Sequence, residues 1–127
     1  VELSFVETQG LKAASVDNGG GAVAPTAETA TAGLAKAKLT PNADAGPGDM
    51  TMELDYTLAD STAYPVLLLT YEIMCESGND ATTLPLTRSF LSYAASADAQ
   101  GILTEIGYVP LPAELDTQVA ETVAAIS

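Results

Sequence analysis

The chain has 127 residues, 47% of them hydrophobic, with a mean hydropathy of +0.21 and a net charge of −13 from 17 acidic residues against Lys12, Lys36, Lys38 and Arg88. That length allows one domain, and the apolar content excludes a disordered tail. A field of this sign repels nucleic acid and anionic membranes, so neither is an expected partner.

Residues 1–6 (Val1-Glu2-Leu3-Ser4-Phe5-Val6) alternate enough for a short strand, and Thr8-Gln9-Gly10 ends a turn or a short helix. The opening has no Met and no leader, and it reads as a cut through a strand. Residues 11–16 and 21–24 flank Asp17-Asn18-Gly19-Gly20, and Asx-Gly chemistry between two short β-like runs predicts a hairpin. Pro25-Thr26-Ala27-Glu28 opens a helix, with Thr26 as N-cap and Glu28 in the first turn. That helix is expected to run to about Lys38, with Lys36 and Lys38 at its C-terminal end.

Residues 40–49 hold two Pro, two Gly, Asn42, Asp44 and Asp49 and read as a surface loop. Met50, Met52 and Leu54 alternate with Thr51 and Glu53, which predicts a short strand. Asp60-Ser61-Thr62 is a turn. The run from Tyr64-Pro65 through Val66-Leu67-Leu68-Leu69-Thr70-Tyr71-Glu72-Ile73-Met74-Cys75 to Gly78-Asn79-Asp80 is apolar at nearly every position up to Cys75. A strand of that kind has no solvent face, and residues 66–75 are expected as a central strand covered on both sides. The chain supplies few neighbours for it, which points to a part of a larger α/β protein.

Residues 82–95 carry Leu84, Arg88, Leu91 and Ala95 at helical spacing, with Pro85 in the first turn. Ser96 with Asp98 caps a second helix, which Gly107 stops. Residues 108–112 are extended. A last helix follows Pro112, with Leu115, Val119, Val123 and Ile126 on one stripe, and the end of the sequence reads as a natural C-terminus.

Histidine is absent, which removes the usual general base, the Ser-His-Asp and Cys-His systems and the H-E-x-x-H zinc site. One cysteine excludes a thiolate cluster. On an apolar strand Cys75 reads as a buried, inert thiol; the alternative is a disulfide to a cysteine outside these residues. Gly19-Gly20-Gly21 is a turn, not a phosphate loop. Asn42, Asp44 and Asp49 resemble part of a calcium loop but lack its spacing and its bidentate Glu. Glu53 and Asp55 share a strand face, where facing solvent is the plain reading and a glycosidase-like carboxylate pair the sharper one. Glu72 and Glu76 flank the central run at ends that are usually wet. Arg88 is the one guanidinium able to grip an oxyanion bidentately, although on a helix it more often serves a salt bridge. No catalytic, phosphate-binding or metal-ligating residue is expected in this segment, and no cofactor. A small anion is not excluded by the acidity, because backbone N–H groups and hydroxyls hold anions without a basic patch.

Three stretches resemble the substrate-binding protein of the phosphate-specific (Pst) ABC importer, in its C-terminal part. They are residues 3–12 with the hairpin and Ala24-Pro25-Thr26-Ala27-Glu28; residues 64–80; and Ser89-Phe90-Leu91-Ser92-Tyr93-Ala94-Ala95, continuing to Gly107-Tyr108-Val109-Pro110-Leu111-Pro112. The third is the most specific. The resemblance implies a type II periplasmic binding protein fold, in which two α/β lobes close on one phosphate ion across a hinge. It implies that residues 1–127 are a return strand, a hairpin, a central strand and C-terminal helices that complete lobe one, as an incomplete sheet flanked by helices and not a whole domain. In the family a Gly-Ala-Ile-Gly-Tyr-like segment precedes the strand resembling residues 1–5 and is missing here, and the hydroxyls, backbone N–H groups, Asp and Arg that hold phosphate lie upstream. No position here matches those motifs, and Arg88 does not correspond to the family's phosphate arginine.

The resemblance further implies a non-enzymatic scaffold and hinge in an extracytoplasmic protein, periplasmic or lipid-anchored. Its partners would be the remainder of the parent (the N-terminal part of lobe one, and lobe two), a phosphate ion and the importer's membrane permease. The alternatives are a binding protein for a different oxyanion and a stand-alone structural or interaction domain.

Overall fold

The structure is a computed structural model and describes residues 2–42 and 44–127. Among the described residues there are five helices and four very short strands, in the order α1 (Leu3–Thr8), β1 (Val16–Asp17), β2 (Ala22–Val23), α2 (Ala27–Leu34), β3 (Lys38–Leu39), β4 (Met52–Glu53), α3 (Leu84–Ala94), α4 (Ala97–Glu105) and α5 (Ala113–Ala125). The fold is mixed helix and strand.

The expected strand over residues 1–6 is a helix from Leu3 (Val1 lies outside the described residues). Its end explains the difference. Gly10 takes φ +62°, so the Leu11 N–H reaches the Val6 carbonyl (2.9 Å) and the Gly10 N–H reaches that of Glu7 (3.1 Å). This Schellman closure satisfies carbonyls left over at the helix end. Among the described residues no strand pairs with residues 3–6 to compete with it. Gly107 repeats the device after α4: at φ +79° it lets Tyr108 N–H reach the Leu103 carbonyl at 2.9 Å.

β1 and β2 form the expected hairpin, antiparallel with Val16 opposite Val23. Asp17 fixes its turn by accepting from the N–H groups of Gly19 (2.9 Å) and Gly21 (3.0 Å), both at positive φ. The Asn18 amide donates to the Tyr56 carbonyl at 2.6 Å, which ties the turn to the loop beyond β4. Thr26 caps α2 in a reciprocal box with Thr29. The helix stops at Leu34 and not near Lys38, because Lys38 and Leu39 instead pair antiparallel with Glu53 and Met52. Lys36 and Lys38 therefore do not serve its C-terminal end.

The central strand expected over residues 66–75 carries no ladder. The four short strands pair with one another as two separate two-stranded ribbons, and none is left to pair with this run. Burial alternates across its first half: Leu67 and Leu69 are half-buried, while Val66, Leu68 and Thr70 are exposed. The covered face lies on α2, where Gly33 permits the approach; a Cβ there would sit 2.6 Å from the Tyr64 carbonyl oxygen and 3.0 Å from Leu67. The second half of the run is exposed throughout. The sheet flanked by helices is thus absent among the described residues, and helices with isolated ribbons stand in its place.

The core is correspondingly small. Leu91 of α3 packs on Val123 of α5 and on Ile126, with Leu84 and Val119 at the margin. Leu115, Val123 and Ile126 are buried and Val119 is half-buried, as the helical stripe predicts. A smaller group, Val23, Ala30, Leu34 and Ala63, is buried around α2. A folded monomer of 12.9 kDa exposes about 6,300 Å² by the usual scaling of surface with mass. This chain exposes 8431 Å², about a third more.

Candidate functional site

Two open clefts and several polar side chains bear on function. The first cleft, about 460 Å³, lies between β4 and the apolar run and is walled by Met52, Leu54, Tyr56, Leu68 and Tyr71. Its phenols are committed to holding the run in place. The Tyr71 hydroxyl accepts from the Met52 N–H at 2.9 Å, and the Tyr56 hydroxyl donates to the Leu67 carbonyl at 3.4 Å. The wall is otherwise apolar apart from Glu53, so nothing there attracts an anion.

The second cleft, about 380 Å³, brings Lys36 and Lys38 near Glu53 and Asp55. Lys36 lies 3.9 Å from Asp60 in an exposed ion pair. Such a pair contributes little, but the three carboxylates outnumber the two cations, and an oxyanion gains nothing there.

Arg88 points elsewhere. Its guanidinium donates to the Ala124 carbonyl at 2.6 Å. The last turn of α5 has no basic residue of its own, so Arg88 supplies from α3 the cation that a helix C-terminus favours. Among the described residues it makes no salt bridge.

Two of the acidic candidates, Asp49 and Asp55, are held by their own loops. In the 40–49 loop, Asp49 accepts from the Asn42 N–H (2.6 Å), the Thr51 N–H (3.0 Å) and the Thr51 hydroxyl (2.6 Å), while Asn42 accepts from the Asp44 N–H at 3.0 Å. Asp55 turns from its neighbour Glu53 to accept from the Thr57 N–H (2.9 Å) and hydroxyl (2.7 Å). Glu53, Glu72 and Glu76 are exposed. Among the described residues no three metal-capable side chains converge.

Sequence reasoning missed a recurring device here. Asp49, Asp55, Asp60 and Asp80 each stand two residues before a threonine, and each accepts from that threonine's hydroxyl and backbone N–H. The threonine hydroxyl, then the backbone N–H groups, hold all four carboxyls below the ordinary carboxylate range. The Asp-x-Thr spacing was the available signal, since Asx and hydroxyl turns use that separation.

Cys75, expected as a buried thiol, is exposed and free. The correction follows from the run that carries it: without strands on either edge, nothing covers its end. Just beyond, Asn79 donates to the carbonyls of Cys75 and Ser127, both at 2.9 Å, and fastens the run's end to the last residue.

The chain is 33% identical to phosphate-binding protein PstS2 of Mycobacterium bovis and to phosphate-binding protein PstS 2 of Mycobacterium tuberculosis, over 131 aligned positions covering 99% of this chain and 34% of each relative. It is 30% identical, with the same coverage, to phosphate-binding protein PstS3 of Mycobacterium bovis. The chain therefore spans about a third of the length of the curated relatives it matches. No family model and no solved structure matches it. Nearly the whole chain thus resembles one stretch of phosphate-binding proteins of the PstS type, as the sequence led us to expect.

Proposed function

We propose that the chain is the C-terminal part of an extracytoplasmic phosphate-binding protein that captures inorganic phosphate for ABC-type import. The observation that carries this reading is the similarity to PstS proteins across 99% of the chain. In this reading the parent has the type II periplasmic binding protein fold, and these residues belong to its lobe one. They act as scaffold and as part of the hinge, while lobe two and the first part of lobe one supply the phosphate ligands. Closure of the two lobes traps the ion, and the closed form delivers it to a membrane permease. The function is binding and not catalysis.

The chemistry of the chain agrees with a supporting role. Neither cleft gathers an excess of cations, and Arg88 is engaged at the end of α5. No helix among the described residues is long and apolar enough to cross a membrane.

The reading is tested by titrating inorganic phosphate calorimetrically into two proteins. The 127-residue chain is expected to give no isotherm at micromolar concentrations. The longer protein that contains it is expected to saturate, with sulfate as the control for a different oxyanion. Saturable binding by the short chain, or a longer protein that takes sulfate and ignores phosphate, would overturn the reading.

A further inference from the structure

Asn18 combines a reactive sequence with an unreactive setting. Of the three asparagines, Asn42 precedes Ala43 and Asn79 precedes Asp80, whose Cβ atoms crowd the backbone nitrogen that follows the asparagine; Asn18 alone precedes a glycine. Without a Cβ, Gly19 leaves that nitrogen open and the dihedrals free for it to reach the Asn18 side-chain carbon. The folded turn commits both reacting groups elsewhere. Asn18 is half-buried, and its Nδ2 donates to the carbonyls of Tyr56 (2.6 Å) and Leu58 (3.3 Å). The Gly19 N–H donates to the Asp17 carboxylate at 2.9 Å, so the amide anion that attacks has to form beside a like charge, which disfavours it. The turn is also seated on main chain. A Cβ on Gly20 would lie 2.7 Å from the Ala59 carbonyl carbon and 2.7 Å from the Asp60 nitrogen, and one on Gly19 would lie 3.6 Å from the Ala59 side chain.

We propose that Asn18 is a deamidation site, closed while the turn is seated and opened when the turn leaves the 56–60 loop. The Gly19 nitrogen gives its proton to hydroxide and attacks Cγ of Asn18. The N–Cγ bond forms, the Cγ–Nδ2 bond breaks, and Nδ2 leaves as ammonia with a proton from water, which returns the hydroxide. Water then opens the resulting five-membered succinimide at either carbonyl, to aspartate or to isoaspartate. One water is consumed and one ammonia released, with no change of oxidation state. Ring closure needs the Asn18 side chain to abandon Tyr56 and Leu58, so the reaction waits on local opening of the turn.

The product does not return to the seat. A carboxylate at position 18 replaces the donor that met two carbonyl oxygens and sets acceptor against acceptor. It adds a negative charge next to Asp17, on a chain already at −13. Isoaspartate also lengthens the main chain by one methylene, inside the turn that Asp17 clasps through the Gly19 and Gly21 N–H groups. Conversion is therefore a one-way release of the β1–β2 hairpin from the loop beyond β4.

Peptide mapping by mass spectrometry tests it, on the 127-residue chain and on the longer protein that contains it, each aged in warm, mildly alkaline buffer and in guanidinium chloride. Conversion at Asn18, with both isoaspartate and aspartate formed, is expected to be at least about tenfold slower in the folded protein than in the denaturant. Gly20→Ala keeps the Asn18-Gly19 pair and drives the turn off its seat, and the two rates are then expected within about threefold of each other. If circular dichroism shows that Gly20→Ala has lost its helices, Asp17→Ala, which removes the clasp on Gly19 and Gly21, is expected to narrow the same ratio. Asn18→Asp reproduces the aspartate product, and hydrogen exchange at the Gly21 amide is expected to quicken in it by about tenfold or more. Equal rates in the folded and unfolded forms of either protein, or no conversion in either form, would overturn the site. A ratio unchanged in a variant that keeps its helices would overturn protection by the seat. Unchanged Gly21 exchange in Asn18→Asp would overturn the release.

Discussion

Replacing Val123 by Ala probes the one cluster on which the helical half depends. Val123 is 8% exposed and packs with Leu91 at 9% and Ile126 at 7%. The substitution removes two methyl groups, at about 0.8 kcal/mol each for lost burial, or about 1.6 kcal/mol. Incomplete collapse around the vacated space raises this toward roughly 2.5 kcal/mol. Domains in general are stable by about 5–15 kcal/mol, and a chain with this much surplus surface belongs at the low end. In urea the change moves the unfolding midpoint down by about 1 M, at a slope of about 1–3 kcal/mol per M. Circular dichroism at 222 nm follows the transition, with Glu121→Ala on the exposed side of the same helix as the control, expected within about 0.5 kcal/mol of the parent. If Val123→Ala also falls within that margin, α5 is not docked on α3 and the assignment of the core is wrong.

Two further outcomes follow from the polar contacts. Arg88→Met keeps the aliphatic stem but loses the bond to the Ala124 carbonyl; at a half-exposed site this costs about 1 kcal/mol, and Arg88→Lys recovers part of it by returning a cation to the end of α5. A urea midpoint unchanged in Arg88→Met would show that the cap contributes nothing. Acid acts through Asp49, Asp55, Asp60 and Asp80, whose folded carboxyls titrate lower than in the unfolded chain. Their contribution is present above the unfolded value of about 3.9, and it is lost as pH falls below that value through the lower folded ones. Relief of the −13 net charge works in the opposite direction as carboxylates protonate, so melting temperature is expected to hold or rise toward pH 4 and fall below it. Asn at all four positions keeps an acceptor for each turn and flattens the low-pH fall; an identical fall in that variant would place the acid sensitivity elsewhere.

What was legible in the sequence was what depends on near neighbours. Thr26 and Ser96 cap their helices through residues three positions on, Pro85 sits in a first turn, and Asp17 with Gly19 and Gly21 closes a hairpin by itself. These signals survive in any surroundings. The alternation at residues 1–6 was misleading because alternation is meaningful only beside a strand edge, and none is there; the better signal was Gly10 followed by Leu11, the Schellman spacing. The end of α2 was misplaced for a similar reason. Lys36 and Lys38 suit a helix C-terminus, but the pairing of Lys38 with Glu53, fifteen residues away, decides the matter. Of the site candidates, sequence placed Arg88 correctly on a helix but could not show that Ala124, thirty-six residues on, would take it.

Residues 66–75 are a different case: their apolar character predicts a covered strand, and none of the described strands pairs with them. The residues that meet locally folded structure are already in place: Leu67 on α2, Tyr71 on β4, Cys75 beside Asn79. The Asp-x-Thr turns that set the loops around them rest on contacts within two or three residues, extended at Asp49 by the Asn42 N–H seven residues back, and so form without a core. The frame that holds the run therefore does not require the run to be paired. This separation explains how one segment can be the most hydrophobic in the sequence and among the most exposed in the structure. Local polar contacts fix where the run lies, while its main chain carries no ladder among the described residues.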